Sequence, residues 1–234
     1  LDVQLLGTGF VTIDSDGLIM KQDIEACEPW ECVWLSMVRT PLTHPTVMFR
    51  TSLVTTHGLY FDENLQTAQD FDLWVRMMDI GNACALPDAL VSYRMHANNV
   101  STKRKESQKR NMKEIAMTHL LRRLPELSPQ KHDFECFFNL FCGIEKANAR
   151  NSRRAVSAMH SLIRAFLARF RLTSSQRRIV WQTACRWLII AIFREGGGVT
   201  RPLVLACFLF SASQFLLYAP LEIFSYFRRR NCFL

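Results

Sequence analysis

Three acids, Asp70, Asp72 and Asp79, lie in the stretch AQDFDLWVRMMDIGN at 68–82, beside a tryptophan and an apolar pattern. A carboxylate at a helix start has two uses. It can take the proton of an attacking hydroxyl held about 2.6–3.2 Å away, which is worth about 10²–10⁴-fold in rate. It can also be a spectator that stabilises the helix dipole by about 0.3–1 kcal/mol. Spacing alone leaves both readings open for Asp70. Asp72 reads as a solvated helix acid or a structural hydrogen-bond acceptor. Trp74 reads as core, because it flanks Leu73 and Met77.

Other residues carry chemistry more weakly. His96 closes the run YRMH and is either an ordinary satisfied histidine or a metal-proximal ligand. DSDG at 14–17 has the D-x-D pattern of a metal site, but Asp16-Gly17 is better explained as a hairpin turn with GLIM as the return strand. Arg50, Arg76 and Arg94 either meet a phosphate or form surface pairs; Arg94 stands two residues from His96. Gly58, with Asp62 and Glu63, forms a loop where glycine allows close backbone approach to a ligand, or an ordinary turn. His44, before Pro45, reads as structural. The eight cysteines (27, 32, 84, 136, 142, 185, 207 and 232) include no C-x-x-C pair, so they read as free thiols in a reducing compartment.

The elements that must position these residues follow from pattern. QLLGTGFVTIDSDGLIM reads as a strand, a tight turn and a return strand. CEPWECVWLSMVRTPLTHP reads as loop with one short helix, TVMFRTSLV as a short strand and a helical start, and HGLYFDENL as loop. Leu73, Met77 and Ile80 recur at helical spacing, and Gly81 sits where a terminating glycine belongs, predicting a helix over 69–81. ACALPDALVSYRMH reads as a strand, a turn at Pro87-Asp88 and a second strand. Beyond Ser101 the pattern is helical. Met112, Ala116, Leu120 and Leu124 precede Pro125; Phe134, Phe137, Phe138, Phe141 and Ile144 form one apolar face, and Ala155 through Phe170 another. A fourth helix over 179–193 is stopped by GGG at 196–198.

At 234 residues and 49% hydrophobic, the chain can bury a sizeable core. No signal-peptide pattern opens it, and Leu1 reads as a cut. Residues 1–100 carry 5 Lys/Arg against 13 Asp/Glu, whereas residues 101–234 carry 24 against 8. Such asymmetry predicts two regions with different partners. No helix-turn-helix, zinc-finger or RNA-binding signature accompanies the basic half, so no nucleic-acid partner is expected. An anionic membrane surface fits better, at about 1 kcal/mol per nearby Lys or Arg; solvated helix faces are the plain reading. Residues 203–221 run without formal charge, and as a helix would reach about 28 Å, near the roughly 30 Å of a hydrocarbon core. Arg186, Arg194 and Arg201 on one side balance Arg228, Arg229 and Arg230 on the other. A segment with both ends cytoplasmic fits that tie.

Taken in order, LLGTGFVTIDSDG, HPTVMFR, GLYFDE, QDFDLWVR and YRMH followed by Ser101 resemble the second half of a family 2 glycosyltransferase with the GT-A fold, over about 2–101. The resemblance implies an α/β fold (α+β within this stretch) over 1–101, followed by an all-helical basic region over 102–234 with a membrane-associating segment at about 203–221. It implies transfer of a sugar from a nucleotide-sugar donor to a hydroxyl of a saccharide or lipid-linked acceptor, in cell-surface polysaccharide or glycan synthesis at the cytoplasmic face of a membrane. Asp70 would be the general base of an inverting reaction; Gln69 stands where many members have Glu. Gly58, Asp62, Glu63, Trp74, Arg94 and His44 would line the acceptor or donor pocket, and His96 would lie near a Mg²⁺ or Mn²⁺ ion and the diphosphate. The family's nucleotide-binding strand and D-x-D motif do not precede Leu1. Most of the nucleotide and metal site is therefore expected outside this chain, which alone would be inactive. The alternative is a non-catalytic membrane-associated or interaction module derived from such an enzyme.

Overall fold

A computed structural model describes residues 3–23, 26–96 and 104–193. The apolar run at 203–221, the arginines at 228–230, the GGG stop and the charge boundary at Ser101 lie outside the described residues. Among those residues, no helix is long and apolar enough to cross a membrane. The chain forms two compact units, Leu1–Leu120 and Leu121–Leu234. The first extends past Ser101 because helix α4 (Lys105–Arg123) carries residues hydrogen-bonded to it. Asn111 donates to the Thr67 carbonyl (3.1 Å) and hydroxyl (3.0 Å), and His119 Nε2 lies 3.0 Å from Ser36 Oγ.

The first unit is built on a mixed sheet centred on β1 (Val3–Ile13). β4 (Asn82–Arg94) runs parallel to it along one edge. The other edge is shared by β3 (Met48–Phe49), opposite Leu5 and Leu6, and β2 (Ile19–Asp23), opposite the end of β1, both antiparallel. The expected hairpin between β1 and β2 is present, although its turn is longer than two residues. Asp14 Oδ1 accepts from the Asp16 and Leu18 amides, both at 2.9 Å, and so closes the turn from within.

β4 departs from expectation. It is one strand and not two joined by a turn. Leu86 pairs with Thr8 and Ala89 with Gly9, so Pro87 and Asp88 bulge out between them. Proline has no N–H to give a ladder, and an edge-strand bulge is where a sheet tolerates it.

Three short helices cover this sheet's connections: α1 (Pro29–Ser36), α2 (Ser52–Thr55) and α3 (Gln69–Met77), with a 3-10 turn at His44–Thr46. Trp34, Met37, Leu53, Phe71, Leu73, Trp74 and Met77 are among the largest fully buried side chains. α3 ends earlier than its apolar pattern predicts, and Ile80 is 44% exposed. Gly81 is not a left-handed terminator, because the positive-φ glycines are Gly17, Gly58 and Gly143. Its requirement is proximity: a Cβ there would lie 2.1 Å from Gln4 Cγ and 2.8 Å from Gln4 Cβ, on β1. The second atom is too near the backbone to swing aside. Gly81→Ala is therefore expected to destabilise the first unit by about 1–3 kcal/mol, read as a lowered urea midpoint. An unchanged midpoint would show that β1 yields without cost.

The second unit is helical. A 3-10 segment (Pro125–Gln130) leads into α5 (Lys131–Phe141), α6 (Ala149–Arg169) and α7 (Ser174–Phe193). The apolar faces predicted for α5 and α6 lie in its core, with Phe134, Phe137 and Phe138 from the first and Ala155, Met159, Leu162 and Phe166 from the second; Val180, Ala184 and Trp187 of α7 join them. Ile144 falls outside this core and is 39% exposed, because α5 has already ended and Gly143 turns the chain at φ +66. Asn148 and Asn151 form a reciprocal capping box that starts α6, satisfying amides that the first helical turn leaves unpaired.

Candidate functional site

α3 begins in an unusual way. Its N-cap, Ala68, has φ +58 and ψ +21, and it is the one non-glycine residue with positive φ among the described residues. A Cβ-bearing residue is strained there, so neighbouring bonds must hold it. The Asn111 side-chain amide, which donates to the carbonyl and hydroxyl oxygens of Thr67, fixes the residue just before it. Gln69 and Asp70 follow at once, so the strained turn sets the direction in which Asp70 leaves the backbone.

The acids near α3 differ in what they touch. Asp72 pairs with Arg76 one turn on, at 2.6 Å and 2.9 Å from Nη2 and Nε. The same Arg76 Nη2 donates to the Tyr60 carbonyl at 2.7 Å, tying the loop before α3 to the helix. Asp72 is thus the structural acceptor of its two readings, and Arg76 is committed within the protein. Asp62 Oδ1 accepts from the backbone and side-chain amides of Asn64 at 2.9 Å and 3.0 Å. Glu63 is exposed. Asp70, half-buried in the first turn of α3, has no hydrogen bond or ion pair among the described residues.

One turn along the helix from Asp70 is Trp74, 1% exposed. Three rings surround it: His44 at 5.9 Å, Phe49 at 6.0 Å and Phe61 at 6.3 Å between centroids, with His44 and Phe61 also 5.8 Å apart. His44 and Phe49 are exposed at their rims, Phe61 is 44% exposed, and the neighbouring Tyr60 is 63% exposed. Trp74 Nε1 is buried without a hydrogen-bond partner among the described residues. The cluster therefore exposes ring surface to solvent, and an uncommitted carboxylate stands one helical turn from its buried member. Its members come from the 3-10 turn, β3, the loop after α2 and α3. The family resemblance names His44 and Trp74 as pocket residues but not Phe49, Tyr60 or Phe61.

The remaining candidates lie elsewhere in function or in place. Gly58 terminates α2: at φ +62 its amide donates to the Val54 carbonyl at 2.9 Å, a left-handed helix end. No atom lies within 4 Å of where its Cβ would stand, so the backbone angle is what demands glycine. Arg94, at the end of β4, donates from Nη1 to the carbonyls of Asp14 and Ser15, both at 2.8 Å. It holds the β1–β2 turn. His96 lies two residues further on and is exposed. The Asp14 carboxylate is taken up by its own turn. No group of three or more His, Cys, Asp or Glu side chains among the described residues is arranged to hold a metal ion. The described residues do not fit a metal site on their own.

Comparison with known proteins adds one partial likeness. Over 75 residues, the chain is 29% identical to an uncharacterized glycosyltransferase of Haemophilus influenzae (strain Rd). The matched stretch is 32% of this chain and 23% of the relative, so the chain spans well under two thirds of that protein. The likeness supports a glycosyltransferase and nothing finer. No family model matches the chain, and no solved structure matches it.

Proposed function

We propose that the first unit is the acceptor side of an inverting glycosyltransferase of the GT-A, family 2 type, with Asp70 as the general base. The observation that carries this reading is the contrast among the acids. Asp72, Asp62 and Asp14 are each committed to protein partners, whereas Asp70 is half-buried, free of partners among the described residues and one turn from an exposed ring cluster. Carbohydrate sites combine these two features, apolar ring faces for the sugar's C–H face and a placed polar group for its hydroxyls. In the reaction, the acceptor oxygen attacks the anomeric carbon as Asp70 removes its proton. The bond from that carbon to the donor's diphosphate breaks, and the nucleoside diphosphate leaves with the bonding electrons.

On this reading His44, Phe49, Phe61 and Tyr60 cradle the acceptor, Trp74 supports the rings from beneath, and Arg76 holds the loop to α3. The nucleotide and any divalent cation are left to residues other than those described. The test is a panel of nucleoside-diphosphate sugars and saccharide acceptors, with nucleoside diphosphate release followed in the protein that carries this chain. Acceptor-dependent release from one donor is the expected outcome; release from none would sink the reading. The basic second half of the chain is the part proposed to meet an anionic membrane surface at the cytoplasmic face. Sedimentation with phosphatidylserine vesicles should be lost as salt rises, and equal binding to neutral vesicles would contradict it.

A further inference from the structure

We propose that Cys27 and Cys32 are a disulfide-forming pair that takes a small dialkyl disulfide as oxidant and, once joined, locks the first turn of α1 onto the residue before its cap. The inference stands independently of the transfer reading.

The pair is set by how α1 begins. Glu28 is the N-cap and Pro29 the first helical residue. Cys27 and Cys32 therefore occupy the positions just before the cap and four into the helix, which pack on one another where a helix entry is stapled. Here the staple is two thiols. Their sulfurs are 2.9 Å apart, and Cys27 is 6% exposed and Cys32 0%. Both are reduced in the structure. A disulfide needs about 2.03–2.05 Å between the sulfurs, so closure asks the sulfurs to approach by less than roughly one ångström. The backbone around Cys27 is already fixed, since it exchanges two hydrogen bonds with Ala85 of β4, at 3.0 Å and 2.9 Å. Joining the sulfurs would thus add, to the peptide link through Glu28, a second covalent link between α1 and a residue hydrogen-bonded to the sheet.

The step balances as thiol–disulfide exchange. The Cys27 sulfur, the more accessible of the two, attacks one sulfur of the oxidant and releases one small thiol. Cys32 then attacks Cys27 in that mixed disulfide and releases the second. Two protein S–H bonds are exchanged for one S–S bond, and the oxidant is reduced to two thiols. The contact with Cys32, burial and the charge of Glu31 all hold the Cys27 thiol protonated, with Arg39 opposing them. Thiolate is the attacking form, so this environment slows the exchange. Cys84, on β4 beside Ala85, is the competing partner: burial and, after it, the nearby Cys27 raise its thiol pKa.

The test uses the folded 234-residue chain. It is incubated with 2-hydroxyethyl disulfide, denatured in N-ethylmaleimide and mapped without reduction. The expected result is a Cys27–Cys32 link, with both residues escaping alkylation while Cys84 remains alkylated. The linked chain should also melt at a higher temperature than the same sample after reduction. Cys32→Ser should stop the reaction at a mixed disulfide on Cys27. A Cys27–Cys84 link, a lasting mixed disulfide on Cys27 in the native chain, or two free thiols after prolonged incubation would each overturn the pairing. Equal melting points would overturn the lock.

Discussion

Asp70→Asn is expected to lower the rate of sugar transfer by about 10²–10⁴-fold, the contribution of a positioned base, while leaving the fold almost untouched. The second half of that statement follows from the contacts. Asp70 has no hydrogen-bond or ion-pair partner among the described residues, so its neutral isostere breaks no bond there. What is lost structurally is the favourable placement of a negative charge at a helix start, about 0.3–1 kcal/mol. Asp72→Asn has the opposite profile. It weakens the pair with Arg76, and with it the grip of Arg76 on the Tyr60 carbonyl. It should soften the loop and raise KM for the acceptor while sparing kcat. Steady-state kinetics on the two variants, with melting curves on the same samples, separate these outcomes. A full-rate Asp70→Asn protein would remove Asp70 from the chemistry.

Trp74→Ala is expected to cost about 3–5 kcal/mol of stability, the range for deleting a large buried aromatic. The ring is 1% exposed and is touched by His44, Phe49 and Phe61, so its removal leaves three rings without their common support. Trp74→Phe should cost much less. Nε1 makes no hydrogen bond among the described residues, and a donor without a partner is no loss when replaced by carbon. Urea unfolding of the two variants measures both values. A loss below about 1 kcal/mol for the alanine variant would mean that the cluster is held from elsewhere.

Much of this arrangement is legible in the residues, and the failures have identifiable causes. The hairpin, the short helix behind Pro29, the start of α3 and the helical second half follow from local pattern and turn chemistry. Pro87-Asp88 misleads because a turn and a bulge use the same residue types, and only the long pairing of β4 with β1 distinguishes them. Gly81 misleads for a similar reason. Its place after a helix suggests a left-handed cap, yet a contact with Gln4, far away in sequence, is what excludes a side chain.

The candidate site divides along the same line. Asp70 was visible as a helix-start acid, and the spacing of Asp72 and Arg76 already contained the pairing that sets Asp70 apart. The ring cluster was not visible, because its four members come from four segments whose register depends on the sheet. Arg94 and Gly58 carried ligand-binding residue types into positions that the fold uses for its own turns and helix ends.

The central claim is an inverting transfer with Asp70 taking the acceptor's proton, and the stereochemistry of the product tests it most directly. The anomeric configuration of the first product, read by proton NMR before mutarotation or hydrolysis, should be opposite to that of the donor sugar. A product of retained configuration would contradict the account, because the acceptor would then not attack the face opposite the leaving diphosphate with Asp70 as its base.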